Sequence, residues 1–192
     1  MRLATLMTSI KLLALSGSLR KMSYNSSVLD AFVNVTVPGI ELEIFKGLNL
    51  LPLFNPDLED QAISAVESLK QAVGRADGLL IASPEYAHGI SAVMKNALEW
   101  LVSGSEFINI PIALINTSPR ASHAQVALRE VLNTMSGLVV ESACVSVPLL
   151  STKFTSVTML EDHDIRETLL NSLTEFKQEI INEQALGKRF TS

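Results

Sequence analysis

The chemistry this sequence could perform is concentrated first in a short polar turn. Residues 12–25 read Leu-Leu-Ala-Leu-Ser-Gly-Ser-Leu-Arg-Lys-Met-Ser-Tyr-Asn. Ser16, Gly17, Ser18, Arg20, Ser23 and Asn25 follow an apolar run, and Val28, Leu29, Phe32 and Val33 then recur at helical spacing. A strand, a polar turn and a helix in that order make an anion site. The helix start leaves backbone N–H groups without partners, and its dipole favours negative charge there. Ser18, Ser23 and Asn25 add side-chain donors, and Arg20 adds a permanent cation suited to phosphate oxygens. The same residues also suit a plain helix cap beside a solvated arginine. The turn is neither a Walker A loop nor a three-glycine dinucleotide fingerprint, since Gly17 is its one glycine.

Two later turns have comparable content. Residues 83–89 read Ser-Pro-Glu-Tyr-Ala-His-Gly. Pro84 stiffens the exit from a strand, Gly89 permits backbone angles closed to other residues, and Tyr86 either offers a flat amphipathic ring to a planar ligand or closes the top of the core beside a solvated His88. Residues 116–123 read Asn-Thr-Ser-Pro-Arg-Ala-Ser-His. There Ser118 and backbone N–H groups are candidates to face the same ligand, and Arg120 either places positive charge beside it or is a solvated arginine at a helix start.

The elements that must position these turns follow from hydrophobic period. Short apolar runs at Leu12–Leu15, Leu79–Ala82 and Ile112–Ile115 suit buried parallel strands. Ile40–Phe45 alternates and suits an edge strand, and a fifth strand lies within Leu138–Val147. Helices are expected after the first turn, from Pro56 through Val73, over 91–102, around Leu128–Met135, and from Glu161 to Ala185. Residues 148–160 read as a loop. Five strands alternating with five helices predict one parallel sheet covered on both faces, in the doubly wound order 2-1-3-4-5. All three polar turns then fall at the carboxyl edge, where such sheets bind ligands.

The 192 residues, 47% of them hydrophobic and 18% charged, suit a single folded domain, with residues 1–10 as an extension and 187–192 as a tail. A net charge of -5 argues against a nucleic-acid binder. No run reaches the length of a membrane span, and Lys11 interrupts the only signal-like stretch, so a cytoplasmic protein is expected. The single cysteine, Cys144, lies in an apolar run and reads as a small buried side chain. The three histidines are far apart, so no metal site is expected.

Gly17-Ser18-Leu19-Arg20 followed by Ser23-x-Asn25 resembles the phosphate loop of the NADPH-dependent FMN reductase family. Ser83-Pro84-Glu85-Tyr86, followed by Val93-Met94-Lys95-Asn96-Ala97-Leu98-Glu99-Trp100, resembles that family's second signature. The resemblance covers about Lys11 to Val147. It implies a flavodoxin-like three-layer sandwich that binds FMN, takes hydride from NADPH or NADH, and passes electrons to a small-molecule acceptor, with no catalytic side chain of its own. Carried over by position, Ser18, Arg20, Ser23 and Asn25 hold the FMN phosphate, with Ser16 and Tyr24 completing the candidates in that turn. Pro84, Glu85, Tyr86 and Ala87 border the isoalloxazine ring, and Ser118 and Arg120 lie on its other side. Relatives form homodimers or homotetramers. Two other functions share this pattern: a flavodoxin-like electron carrier without pyridine-nucleotide activity, and a non-catalytic phosphate-ligand or partner-binding module.

Overall fold

In the computed structural model, which describes residues 9–120, 122–149 and 154–187, the chain runs β1 (Ile10–Ser16), α1 (Tyr24–Asn34), β2 (Ile40–Ile44), α2 (Ser64–Arg75) and β3 (Gly78–Ala82). A hairpin of β4 (Glu85–Tyr86) and β5 (Gly89–Ile90) follows, then α3 (Ala92–Leu101), β6 (Pro111–Asn116), α4 (Ser122–Thr134), β7 (Leu138–Val139), β8 (Val145–Ser146), α5 (Ser156–Glu161) and α6 (His163–Ala185). Most of the expected N-terminal extension, and the tail beyond Gly187, lie outside the described residues.

Side chains alternate across the strands, and this alternation builds the two faces. Leu13, Leu15, Leu79, Ile81, Ile112 and Leu114 pack with α2, α3 and α4. Leu12, Ala14, Leu80, Ala82, Ala113 and Ile115 pack with α1, α5 and α6. The strands run parallel in the order β2-β1-β3-β6-β7. This is the expected flavodoxin-like arrangement, with β2 on the edge.

Four local expectations are corrected. The fifth strand is split: β7 pairs with the start of β6 and β8 with its end. The chain between them turns through Glu141–Ala143, which takes it out of the ladder at Leu114. The Leu114 N–H donates instead to Cys144 Sγ at 3.2 Å, so a buried backbone donor keeps a partner. The helix expected from Pro56 starts only at Ser64, and Pro56–Leu58 is an isolated turn capped by Asn55. Leu58 and Ile63 both pack on the core. The expected loop 148–160 includes α5, capped by Thr155, and Asp162 starts a separate α6 by accepting from the Ile165 N–H at 3.1 Å. The turn expected at residues 83–89 is largely the β4–β5 hairpin, which ends at Ile90.

Within that hairpin the left-handed residues are Ala87 (φ 50°) and His88 (φ 58°), and Gly89 is not among the positive-φ positions. Positive φ at both central positions is the type I′ geometry of a two-residue hairpin, so Ala87 and His88, not Gly89, take the unusual backbone angles.

The α3 part of the second signature is structural. The Asn96 carboxamide accepts from the Phe54 N–H (2.8 Å) and donates to the Pro52 carbonyl (3.0 Å). Trp100 Nε1–H donates to the same carbonyl at 2.8 Å, and its ring meets Phe54 edge-on at 5.1 Å. These bonds fasten the loop before α2 onto α3.

Near the split strand, Arg129 grips Glu141 through two nitrogens at 2.9 and 3.0 Å. That fork holds the Glu141 carboxyl below the usual carboxylate range. Burial pushes the Cys144 thiol up, and the thiolate is the reactive form. Iodoacetamide at near-neutral pH should therefore label Cys144 far more slowly in the folded protein than in denaturant. Equal labelling rates would refute a protected thiol.

Candidate functional site

A cavity of about 820 Å³ opens at the carboxyl edge of the sheet, where β1 and β3 lead into their turns. That is within the usual range for a small-ligand site. Three turns line it. They supply ten of the twelve candidate residues: Ser18, Arg20, Ser23, Tyr24 and Asn25 from the first, Pro84, Glu85 and Tyr86 from the second, and Ser118 and Arg120 from the third. Ser16 and Ala87 do not line it.

The first turn is folded by its own hydroxyls. The Ser18 N–H donates to Ser16 Oγ and the Arg20 N–H to Ser18 Oγ, both at 3.4 Å. Ser16 Oγ also pairs with Ser26 Oγ at 3.0 Å. Ser16 thus holds the turn from behind. Ser23 caps α1 by accepting from the Ser26 N–H. The first turn of α1 has no acidic side chain, so nothing there offsets the positive end of the helix.

Gly17 lies where the turn crosses β3 and α3. A Cβ there would stand 2.6 Å from Ser83 Oγ and 2.8 Å from Ser91 Oγ. Ser91 cannot turn away freely, because its hydroxyl accepts the Met94 N–H and caps α3. Gly17→Ala should cost about 1–3 kcal/mol of stability, as overpacking does. Urea unfolding reads this directly, and an unchanged midpoint would show that the serines can yield.

The third turn is built the same way. Asn116 Oδ1 accepts from the Ser118 N–H (3.0 Å), and Ser118 Oγ accepts from the Arg120 N–H (3.3 Å). In the second turn the Glu85 carboxylate is already engaged. One oxygen accepts from the Ala124 N–H at 2.9 Å, at the start of α4, and the other lies 3.3 Å from His88 Nδ1. The His88 ring in turn meets His123 at 4.5 Å. Glu85 lines the cavity but holds the hairpin to α4. Tyr86, 51% exposed, stands at the mouth.

Sequence reasoning missed several lining residues. Lys21 and Met22 sat beside named candidates. Leu149, Phe154 and Thr155 come from the chain after β8 and carry no local signal. Leu149 is drawn in when its N–H donates to the Thr117 carbonyl at 3.2 Å. The charged lining is Arg20, Lys21 and Arg120 against Glu85. None of the three cations forms an ion pair among the described residues. A chain of net charge -5 therefore concentrates positive charge here. A site of hydroxyls, an uncompensated helix start, unpaired cations and a flat ring at the mouth fits a phosphorylated planar ligand such as FMN.

Parallel order, switch point and anion-favouring turn together define a flavodoxin-like α/β protein. The model of the NADPH-dependent FMN reductase family matches residues 10–150. The chain belongs to that family. It is 40% identical over 114 residues to an NADPH:quinone oxidoreductase of Arabidopsis thaliana, a match that spans 56% of this chain and 58% of that one. A probable NADPH:quinone oxidoreductase 1 of rice (Oryza sativa subsp. japonica) is 32% identical across 94% of this chain and 93% of its own. The NAD(P)H-dependent FMN reductase of Pseudomonas aeruginosa is 36% identical over 64% of this chain and 69% of its own. Among solved structures, the flavoenzyme NAD(P)H:(acceptor) oxidoreductase FerB of Paracoccus denitrificans superposes with a TM-score of 0.73 at 20% identity, covering 88% of this chain and 98% of that one. That likeness establishes the fold. Among the described residues, no helix is long and apolar enough to cross a membrane.

Proposed function

We propose that this chain is an FMN-dependent NAD(P)H oxidoreductase of the quinone-reductase type. The single observation that carries the reading is the cavity wall at the start of α1, where Ser18, Arg20, Ser23 and Asn25 converge. FMN, when bound, supplies a centre that takes hydride from NADPH or NADH and hands electrons to a small acceptor such as a quinone or free flavin. The protein's part is placement. The first turn holds the phosphate ester, and Pro84 and Tyr86 border the ring. Ser118 and Arg120 meet the ligand from the far wall, Arg120 offsetting negative charge that builds there. Arg120→Ala should slow flavin reduction with little change in FMN affinity. An unchanged reduction rate would remove that role.

The deciding experiment is steady-state oxidation of NADPH and of NADH with a quinone, an azo dye and free FMN as rival acceptors. Turnover well above that of FMN alone is expected. Turnover no faster than free FMN would favour an electron carrier instead. Assembly into homodimers or homotetramers is proposed from the family alone, and light scattering reads it. A cytoplasmic location is supported by the single cysteine, which cannot form an intrachain disulfide.

A further inference from the structure

Asn25 and Thr117 approach the cavity from different walls, one from the first turn of α1 and one from the turn after β6. The Thr117 hydroxyl donates to Asn25 Oδ1 at 3.3 Å. Asn25 is 7% exposed and Thr117 6%, and both line the cavity. Thr117 is itself held in place, since its carbonyl accepts the Leu149 N–H. A carboxamide has one acceptor oxygen and two donor hydrogens. With Oδ1 engaged by Thr117, the Asn25 NH2 group has no partner among the described residues. That nitrogen is not among the buried polar atoms that lack a partner, so it stands open to the cavity, where a guest acceptor can complete it.

We propose that Thr117 is a positioning residue that locks the Asn25 carboxamide with its NH2 group toward the cavity, to donate to an anionic oxygen of the bound phosphate ester. The inference rests on the flavin reading above and adds to it. Without the hydroxyl, the amide can rotate half a turn and present Oδ1 to the anion, which replaces an attraction by a repulsion. The hydroxyl, not the bulk of Thr117, is therefore the part that matters. The contact serves the phosphate and not the ring system.

The test is fluorescence titration of the full-length, flavin-free protein with FMN and with riboflavin, which lacks the phosphate. Thr117→Val should lose about tenfold in FMN affinity, the scale of a hydrogen bond to a charged group, while its riboflavin affinity stays within about twofold. Thr117→Ser should restore FMN affinity. In an Asn25→Ala background, Thr117→Val should have no further effect. Equal FMN affinity of Thr117→Val and the unaltered protein would overturn the proposal. So would a parallel loss of riboflavin and FMN binding, or a Ser variant as weak as the Val variant. Should Thr117→Val not fold, Asn25→Asp decides the matter: it keeps the acceptor for Thr117 and removes the donor. It should lose FMN selectively, and FMN binding at full strength would overturn the orientation. If the unaltered protein does not prefer FMN to riboflavin, the flavin-phosphate reading itself falls, and the inference falls with it.

Discussion

Replacing Arg20 by alanine should weaken FMN binding roughly tenfold or more, since a charge-assisted contact is worth about 1.5–3 kcal/mol. The expectation follows from what surrounds the residue. Its backbone N–H is fixed on Ser18 Oγ at 3.4 Å, so the turn delivers the guanidinium to the cavity. No carboxylate pairs with it among the described residues, so no internal partner competes with an incoming phosphate. The side chain is exposed, and alanine should leave the fold intact. Lysine at this position should restore part of the affinity, because it keeps the charge but not the planar fork that matches two phosphate oxygens. The loss should also shrink at high salt, as an exposed charge contact does. Titration giving equal affinities for Arg20→Ala and the unaltered protein would contradict the phosphate assignment.

The other large effect concerns stability. Trp100→Ala should destabilise the protein by about 3–5 kcal/mol, the range for truncating a large buried aromatic side chain. Trp100 is 1% exposed and packs in the core face formed with α2, α3 and α4. Its loss also removes the Nε1–H bond to the Pro52 carbonyl and the edge contact with Phe54. Asn96 still donates to that carbonyl, so the loop should loosen without detaching. Trp100→Phe should recover much of the packing but not the hydrogen bond. Urea unfolding measures both variants, and a loss below about 1 kcal/mol for alanine would mean that the site collapses around the gap. At temperatures where Trp100→Ala remains folded, its FMN affinity should be close to normal, because the residue does not line the cavity. A selective collapse of FMN binding would show that the α3 part of the second signature acts on the ligand as well.

Arg20 lines the cavity and Trp100 fastens the loop before α2, although each belongs to one of the two sequence signatures. Arg20 was legible because an anion site is a local object: a strand end, a short turn and a helix start are contiguous in sequence. Trp100 and Asn96 gave no such indication, because their partners at Pro52 and Phe54 lie more than forty positions away. Glu85 shows the same limit. Its position at the cavity was readable, but its commitment to α4 depends on a residue 39 positions on. The Ala87–His88 strain was also hidden, since Gly89 was the obvious place for unusual backbone angles.

The amino-acid order alone settled the alternation of strands and helices, the burial of β1, β3 and β6 on both faces, the parallel order of the sheet and the three turns at its carboxyl edge. Those features depend on periods of two and 3.6 residues and on turn chemistry, all of which act over a few neighbours. Packing alone decided the split of the last strand around Glu141–Ala143, the delayed start of α2, and the pairing of Asn25 with Thr117 across 92 residues of chain. Each of these satisfies a buried polar group or seats two apolar side chains at once. Such needs arise only when distant segments share one interior, so no local window of sequence contains them.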